Sequence, residues 1–334
     1  MLDELDSMQS DHVKLDRKIV MLRVWTKILD SANKFHFMSE KLGASDQKGL
    51  AKITGFAKFK MNFLNPTGHW RLDLGNINHR EVWQMLLTLE GKEMASSKTS
   101  KRNDTSQKGN WSNFRNEKLN NMPFEINEEN ASTLHFGTLE FDYVSTTRPP
   151  LDAKTATDEQ FIKWMEELGI NDSMQEPPKG VMFQMYLTHA ACQYYFTTEQ
   201  VCRFISQLLP GTDMADAAVS LYSRITDLEN FDHVVKLSVL PPKAKQEIID
   251  RLGWLNIGNP LKPEGFYDLN LMHLDNRTML RFLIKINGEE PGNHILDQKE
   301  TDMKIEQVFG NISKLNEAVN KHVRIEYQET KGAR

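Results

Sequence analysis

The first pattern along the chain is a helical spacing of apolar residues between positions 8 and 37. Apolar residues recur there every three or four positions and would share one face of a helix; they are Leu15, Ile19, Leu22, Trp25, Leu29 and Ala32. Gly43 follows as a helix-ending residue. We therefore predict an N-terminal helix within residues 1–42.

The spacing changes to two between Ile53 and Phe63, where apolar and polar residues alternate. Such alternation is typical of a half-buried strand, and it would place Ala57, Phe59, Met61 and Phe63 on the buried side. Asn65-Pro66-Thr67-Gly68 predicts a turn, and the alternation from His69 to Leu74 predicts an antiparallel partner strand. A sheet should therefore begin in this region.

The pattern after this turn predicts an α+β domain over residues 50–150. A helix is expected at about 79–90, followed by a polar loop over 92–121 and by two strands near 123–126 and 138–144. Arg148-Pro149-Pro150 then breaks the chain.

Residues 155–255 predict a helical domain of short hairpins. A first helix carries Phe161 and Leu168, and five further helical patterns follow it. Those five start near Val181, Thr198, Asp213, Glu229 and Pro242. Thr197 is a good first residue for one of them, because its hydroxyl can accept a free amide hydrogen of the first turn.

A segment near Leu64 returns near Leu261 at a fixed offset of 197 residues. Nine identities fall in 30 gapless positions, where ordinary residue usage gives roughly two. The identical residues of the first copy are Leu64, Pro66, Gly68, Leu72, Leu74, Arg80, Leu86, Gly91 and Glu93. The repeat predicts the same turn, strand and helix twice, with the second copy at 256–292.

The last pattern is a three-four spacing of apolar residues that includes Ile312 and Leu315. It predicts a C-terminal amphipathic helix over 299–325 that can dock on a partner helix or on the body of the protein. The whole order is α+β: an N-terminal helix, a mixed strand-helix domain, a helical-hairpin bundle, a repeated strand-helix unit and a C-terminal helix.

Charge and composition narrow the function classes. The 334 residues hold 41 basic and 46 acidic side chains, a formal charge of -5, which argues against a general nucleic-acid binder. Two cysteines exclude a disulfide framework and suit a reducing compartment. The acidic start and the lack of an apolar run of about 20 residues predict a cytoplasmic protein without a membrane segment.

Common catalytic motifs are absent from the sequence, including phosphate-binding glycine loops, a nucleophile elbow and a zinc-binding His-Glu-x-x-His helix. His189 lies one helical turn before Cys192, so a nucleophilic thiol is one hypothesis. The apolar surroundings favour a buried structural cysteine instead. We expect no enzyme and no cofactor.

Arg80 and its repeat Arg277 fall in the first turn of the two helices, where the helix dipole disfavours a cation. One interpretation is a structural bond to Asp73 or Asn270 at the end of the preceding strand. The other is a phosphate or acidic partner held by the arginine and the helix amides. We favour the structural bond.

Basic and aromatic residues alternate in the loop from Lys98 to Lys118. Its candidate interaction residues are Lys101, Arg102, Lys108, Trp111 and Arg115. They could stack on single-stranded nucleic acid or dock on an acidic protein surface such as a cytoskeletal polymer. The third and favoured interpretation is that Trp111 and Phe114 pin the loop to its domain.

Residues 181–252 resemble an uncharacterised helical module catalogued as domain of unknown function 4476. Two stretches carry the resemblance, Tyr194-Tyr-Phe-Thr-Thr-Glu-Gln-Val and Leu221-Tyr-Ser-Arg-Ile-Thr-Asp-Leu-Glu-Asn-Phe. The resemblance implies a small helical bundle and no known active site.

Together these patterns predict a non-catalytic protein-interaction or scaffold component of a larger intracellular assembly, with a cytoskeletal or ciliary assembly as the candidate. Its candidate contact residues are the five of the basic loop together with Arg80, Arg277, Ile312 and Leu315. The alternative function is binding of phosphate or nucleic acid through loop 98–118.

Overall fold

A computed structural model describes residues 56–99, 113–170, 180–208, 212–259, 262–271, 274–289, 295–300 and 322–328. It contains helices and two antiparallel sheets and is therefore an α+β protein, as the sequence predicts. The helix predicted within 1–42 lies outside the described residues.

Eleven α-helices are described. They are α1 Phe56–Lys60, α2 Ile77–Thr99, α3 Glu128–Ala131, α4 Asp158–Glu167, α5 Gly180–Ala190, α6 Thr198–Ser206, α7 Thr212–Leu221, α8 Asp232–Lys236, α9 Pro242–Leu252, α10 Trp254–Ile257 and α11 Leu274–Glu289. The described strands are β1 Gly68–Asp73, β2 Phe114–Leu119, β3 Met122–Pro123, β4 Thr138–Tyr143, β5 Gly265–Asn270, β6 Ile295–Glu300 and β7 His322–Tyr327.

The first sheet has the order β1-β4-β2-β3, with all neighbours antiparallel. Strand β1 alternates between buried and exposed residues, as its sequence predicts, and its buried Trp70 and Leu72 face a core shared with Trp83 and Leu86 of α2. Burial of large apolar side chains on one face of the sheet is what holds α2 against it.

Three predictions for this region are wrong. The strand predicted at 53–63 is helix α1 from Phe56 to Lys60, whose buried Ala57 and adjoining Met61 are four residues apart and so also satisfy a helical spacing. Helix α2 begins at Ile77 and continues through Gly91 to Thr99. The predicted polar loop contains strand β2 at its end.

The helical unit follows the predicted starts closely. Helices α5, α6, α7 and α9 begin at Gly180, Thr198, Thr212 and Pro242. Thr197 accepts the amide hydrogen of Gln200, and the Gln200 side chain accepts that of Thr197, which completes a capping box. This unit has its own apolar core around Phe161, Trp164, Phe196, Phe204 and Phe231.

The second sheet has the order β5-β7-β6 and is antiparallel. It corrects the prediction for the C-terminus, because residues 295–300 and 322–327 form strands, while the predicted helix was to span 299–325. The second copy therefore extends beyond residue 292 to Tyr327, and the intervening residues 301–321 lie outside the described part of the chain.

The duplication covers a whole domain. In both copies a short helix leads through a turn to a strand, a long helix and further strands, three in the first copy and two in the second, and the last strand lies between the first and the second. Gly68 pairs with Tyr143 just as Gly265 pairs with Tyr327. The second strand has a register shift in both copies. We call residues 56–143 the first repeat and residues 254–327 the second repeat.

Equivalent side chains make equivalent bonds in the two repeats. Trp70 Nε1 donates to the carbonyl oxygen of Pro66 at 3.1 Å, and Tyr267, 197 residues later, donates its hydroxyl to that of Pro263 at 2.7 Å. Both bonds tie the strand to the turn before it, so the turn is held in the same place in each repeat.

Candidate functional site

The first repeat has an open groove of about 680 Å³ beside the start of α2. Its lining residues are Phe63, Ile77, Arg80, Glu81, Gln84, Met85, Thr88 and His135. Ile77 is 63% exposed and Phe63 is 49% exposed. Leu64 and Phe136, next in sequence to two lining residues, are 55% and 79% exposed. We call this surface, with its eight lining residues and the adjacent Leu64 and Phe136, the first-repeat groove.

Two buried asparagines fix the apolar edge of this groove. Asn62 accepts the amide hydrogen of Leu64 through its side chain at 3.0 Å, while its own amide donates to His189 at 3.0 Å. Asn65 donates to the carbonyl oxygen of Ser220 at 2.8 Å. Because both asparagines are anchored in the helical unit, Phe63 between them is held at the surface.

The helical edge is fixed by the first turn of α2. The side chain of Asn76 accepts the amide hydrogen of Asn78 at 2.9 Å and thereby caps the helix. Glu81 of the groove forms an ion pair with Lys58 of α1. Exposed Ile77 thus lies at the start of a capped helix, and the nearby polar side chains of Asn76 and Glu81 already have bonding partners.

The repeated arginines bond within their own repeats. Arg80 Nη1 donates to the carbonyl oxygen of Leu74 at 2.8 Å, and Arg277 Nη1 donates to that of Leu271 at 2.6 Å. The structural interpretation therefore fits, but the predicted partner is wrong: the acceptor is a backbone carbonyl at the strand end rather than Asp73 or Asn270. This bond links strand to helix and offsets the unfavourable position of the cation.

The basic loop is partly used by the fold. Phe114 is buried against Trp83 and Phe141 in the core of the first repeat. Arg115, predicted as a contact residue, is buried in an ion pair with Asp275 of the second repeat. Of the other predicted contact residues, Lys101, Arg102, Lys108, Trp111, Ile312 and Leu315 lie outside the described residues.

An ion-pair network around the buried Arg251 joins the helical unit to the first repeat. Arg251 of α9 donates through Nε to Asp142 of β4 at 3.0 Å and through Nη1 to Asp216 of α7 at 2.7 Å. Burial raises the pKa of Asp142, but the bond from His69 and the charge of Arg251 outweigh burial and leave that pKa below its usual value. Asp142 is therefore a carboxylate at neutral pH, and the network fixes the first repeat on the helical unit.

His189 and Cys192 lie together but do not form an activated pair. The Asn62 amide donates to His189 Nδ1 and to Cys192 Sγ, at 3.0 and 3.2 Å. Burial raises the pKa of the Cys192 thiol to about 11, against the smaller opposite effects of Arg224 and Asn62. A thiol that is protonated at neutral pH and buried is a poor nucleophile.

A second cavity of about 430 Å³ opens at the start of α6. Its lining includes the acidic Glu199 and Asp227, and Asp227 Oδ1 already accepts the amide hydrogen of Thr198 at 2.7 Å. Because this carboxylate occupies the helix N-terminus, the cavity offers no free site for an anion there. Burial together with these two carboxylates and Asp232 raises the pKa of the neighbouring Cys202 to about 11.

None of the described helices is both long and apolar enough to cross a membrane. No protein-family model matches the chain, and comparisons with curated proteins and with solved structures give no match. The resemblance of residues 181–252 to the helical module therefore stays an expectation.

Sequence reasoning missed the first-repeat groove. It assigned Phe63 to the buried side of a strand and began the second helix at residue 79, beyond Ile77. The one signal available in the sequence was Phe63-Leu64, an apolar pair directly before the Asn-Pro turn, where exposed polar residues are usual.

Proposed function

We propose that the protein is a non-catalytic interaction component and that the first-repeat groove is its protein-docking surface. The observation that carries this proposal is the cluster of exposed apolar side chains around Ile77 and Phe63, which borders the polar Arg80, Glu81 and Gln84. An apolar centre with a polar rim is the usual anatomy of a protein interface.

The shape of the groove favours a protein over a small molecule as its ligand. A small-molecule site encloses most of its ligand, whereas this groove is open along the exposed side of α2. The partner that fits is a protein surface that presents an aromatic or aliphatic anchor between polar side chains. Phe63 and Ile77 are held in place by Asn62 and by the helix cap, so docking requires little ordering of the groove itself.

The absence of catalysis is part of the same proposal. The thiol that was the best nucleophile candidate, Cys192, is buried and its pKa is raised to about 11. The described part of the basic loop supports a structural role, since Phe114 and Arg115 are buried. The cytoskeletal or ciliary setting and the cytoplasmic location stay predictions.

The test is affinity capture from the native cell with the full chain and two variants. Ile77→Asp places a charge in the groove, and a carboxylate is favourable in the first turn of a helix, so folding should be kept. Leu151→Asp is the matched control, because Leu151 is fully exposed and does not line the groove. Thermal unfolding should confirm that both variants fold.

We expect proteins that bind wild type and Leu151→Asp equally and that are recovered at least about ten-fold less with Ile77→Asp, the effect of losing one buried interface anchor. Equal recovery with all three proteins would contradict the groove as the docking surface.

A further inference from the structure

The start of α2 is held to the end of β1 by a histidine. The backbone amide of Asp73 donates to Nδ1 of His79 at 2.9 Å. Strand β1 lies at an edge of its sheet, and the next amide, that of Leu74, donates to the carbonyl oxygen of Gly137 just before β4. Because successive amides of a strand point to opposite sides, the Asp73 amide points to the open edge, where His79 accepts it. We call this bond the histidine tie.

The histidine tie requires a neutral imidazole ring. Nδ1 of His79 can accept a hydrogen bond only while it carries no proton, so the neutral ring bears its hydrogen on Nε2. Protonation would set a donor against the Asp73 amide and would add a positive charge to the first turn of α2, where the helix dipole disfavours a cation. Arg80 already places a cation in this turn, which its bonds to the carbonyl oxygens of Leu74 and Gly75 offset. Protonation of His79 therefore breaks one link between strand and helix and weakens the helix start.

The second repeat has a bond at the same place that does not respond to pH. Asn276 follows His79 by 197 residues, and its side-chain amide donates to the carbonyl oxygen of Asn270 at 3.1 Å. Asn270 is the equivalent of Asp73, so both repeats link the first turn of the long helix to the end of the first strand. An asparagine side chain does not titrate between pH 5 and 8, whereas a histidine does. Of these two equivalent bonds, the one beside the first-repeat groove is the one that depends on pH.

The surroundings of His79 favour its neutral form. Burial lowers the pKa of His79 below its ordinary value of 6.5, against a smaller opposite effect of the Asp73 carboxylate. The other charged or titratable groups around this helix start are Arg80 and Glu81 of α2, Lys58 of α1 and His135 before β4. The stabilising effect of the histidine tie is therefore complete above pH 6.5 and is lost as the pH falls through the lower pKa of the folded protein.

The first-repeat groove depends on this helix start. Ile77 is the first residue of α2 and is 63% exposed, so packing of its own side chain does little to hold it in place. Its position is set by the bonds of its turn, which are the cap by Asn76, the histidine tie and the bonds of Arg80. Loss of one of these bonds lets the first turn fray, and a less ordered anchor residue binds a partner at a larger entropy cost.

We propose that the histidine tie makes docking in the first-repeat groove sensitive to pH, with His79 neutral in the form that binds and protonated in the form that releases its partner. This inference rests on the proposed function, because it names a regulator of the same groove. In mild acid the histidine tie is lost while the Arg80 bonds remain, so docking weakens but does not disappear. The expected loss of affinity is about five-fold, the effect of one hydrogen bond.

NMR titration of the purified full chain tests the histidine tie without a partner, between about pH 7.5 and about pH 5, which spans the ordinary titration range of histidine. The backbone amide signal of Asp73 should shift with the same midpoint pH as the His79 ring. In His79→Asn, which has the residue of the second repeat, that shift should be absent. His233→Asn is the matched control, because His233 is exposed and lies on α8, and it should behave as wild type. An Asp73 amide that stays unchanged while His79 titrates would overturn the inference.

Affinity capture from the native cell at the same two pH values tests the effect on docking. Proteins that Ile77→Asp fails to recover should be recovered by the wild type about five-fold less in acid. Their recovery should not change with pH for His79→Asn and should fall as in wild type for His233→Asn. An equal fall with His79→Asn would place the pH dependence in the partner and overturn the inference. If such proteins exist but ignore pH, only this inference fails; if no captured protein depends on Ile77, the proposed function fails and this inference with it.

Discussion

Arg251 gives the most demanding prediction about stability. Its side chain is 6% exposed and bonds to the buried Asp142 and to Asp216. Arg251→Met keeps much of the volume but leaves Asp142 without its guanidinium. Removal of one partner from a buried ion pair costs about 3 to 5 kcal/mol. Because Asp142 keeps its bonds from His69 and Asn116, we expect the lower end, about 3 kcal/mol at pH 7.

The stability cost of Arg251→Met should decrease as the pH is lowered. The folded-state pKa of Asp142 lies below the usual 3.8, so its stabilising effect is present above that pH and is lost as the pH falls through the folded pKa. Without Arg251, burial should raise this pKa. The difference between variant and wild type should therefore be largest near neutral pH and smaller below about pH 4, where Asp142 is increasingly protonated.

Urea unfolding followed by tryptophan fluorescence at pH 7 and near pH 4 measures both effects. Arg324→Met is the matched control, since Arg324 pairs with Asp268 at the same 3.0 Å but is 54% exposed. Solvent screening should keep its cost under about 1 kcal/mol. Equal costs for the two arginine variants, or a cost of Arg251→Met that does not change with pH, would refute this account of the junction.

Three further predictions concern Gly253, Arg80 and Cys192. Gly253 has φ +80°, and a Cβ there would lie 2.1 Å from Asp275 Oδ2, whereas Gly169 has φ +77° and open space around it. Gly253→Ala should therefore lower the free energy of unfolding in urea by at least about 2 kcal/mol more than Gly169→Ala does. Arg80→Met should cost about 1.5 kcal/mol, measured in the same way, through loss of the charged bonds to the carbonyl oxygens of Leu74 and Gly75. Cys192, buried with a pKa near 11, should react with a maleimide far more slowly in the native protein than in urea, and equal rates would contradict its burial.

The sequence predicted the α+β class, the duplicated strand-turn-helix and most helix starts of the middle unit, because these depend on local spacing and capping. Thr197 is an example, since its capping box lies within four residues. The strands β6 and β7 were not predicted, because a strand that pairs across a long insertion leaves little local signal apart from alternation.

The candidate site was harder to predict than the fold. Exposure of Ile77 depends on where α2 begins and on what packs on it, and neither is a local property. The sequence predicted a structural bond between Arg80 and the end of the preceding strand, but it predicted the wrong acceptor. The acceptor is a backbone carbonyl, which carries no sequence signal. Arg115 belongs to a basic stretch in sequence, yet the tertiary structure pairs it with Asp275, 160 residues later.

The most direct test of the groove as the docking surface is site-specific photo-crosslinking of the full chain in its native cell. A photoreactive residue in place of Gln84 lies in the groove, and the same residue in place of exposed Lys163 on α4 is the control. We predict protein adducts from position 84 that Ile77→Asp abolishes, and none of these adducts from position 163. The same adducts from both positions, or adducts at 84 that persist with Ile77→Asp, would contradict the account.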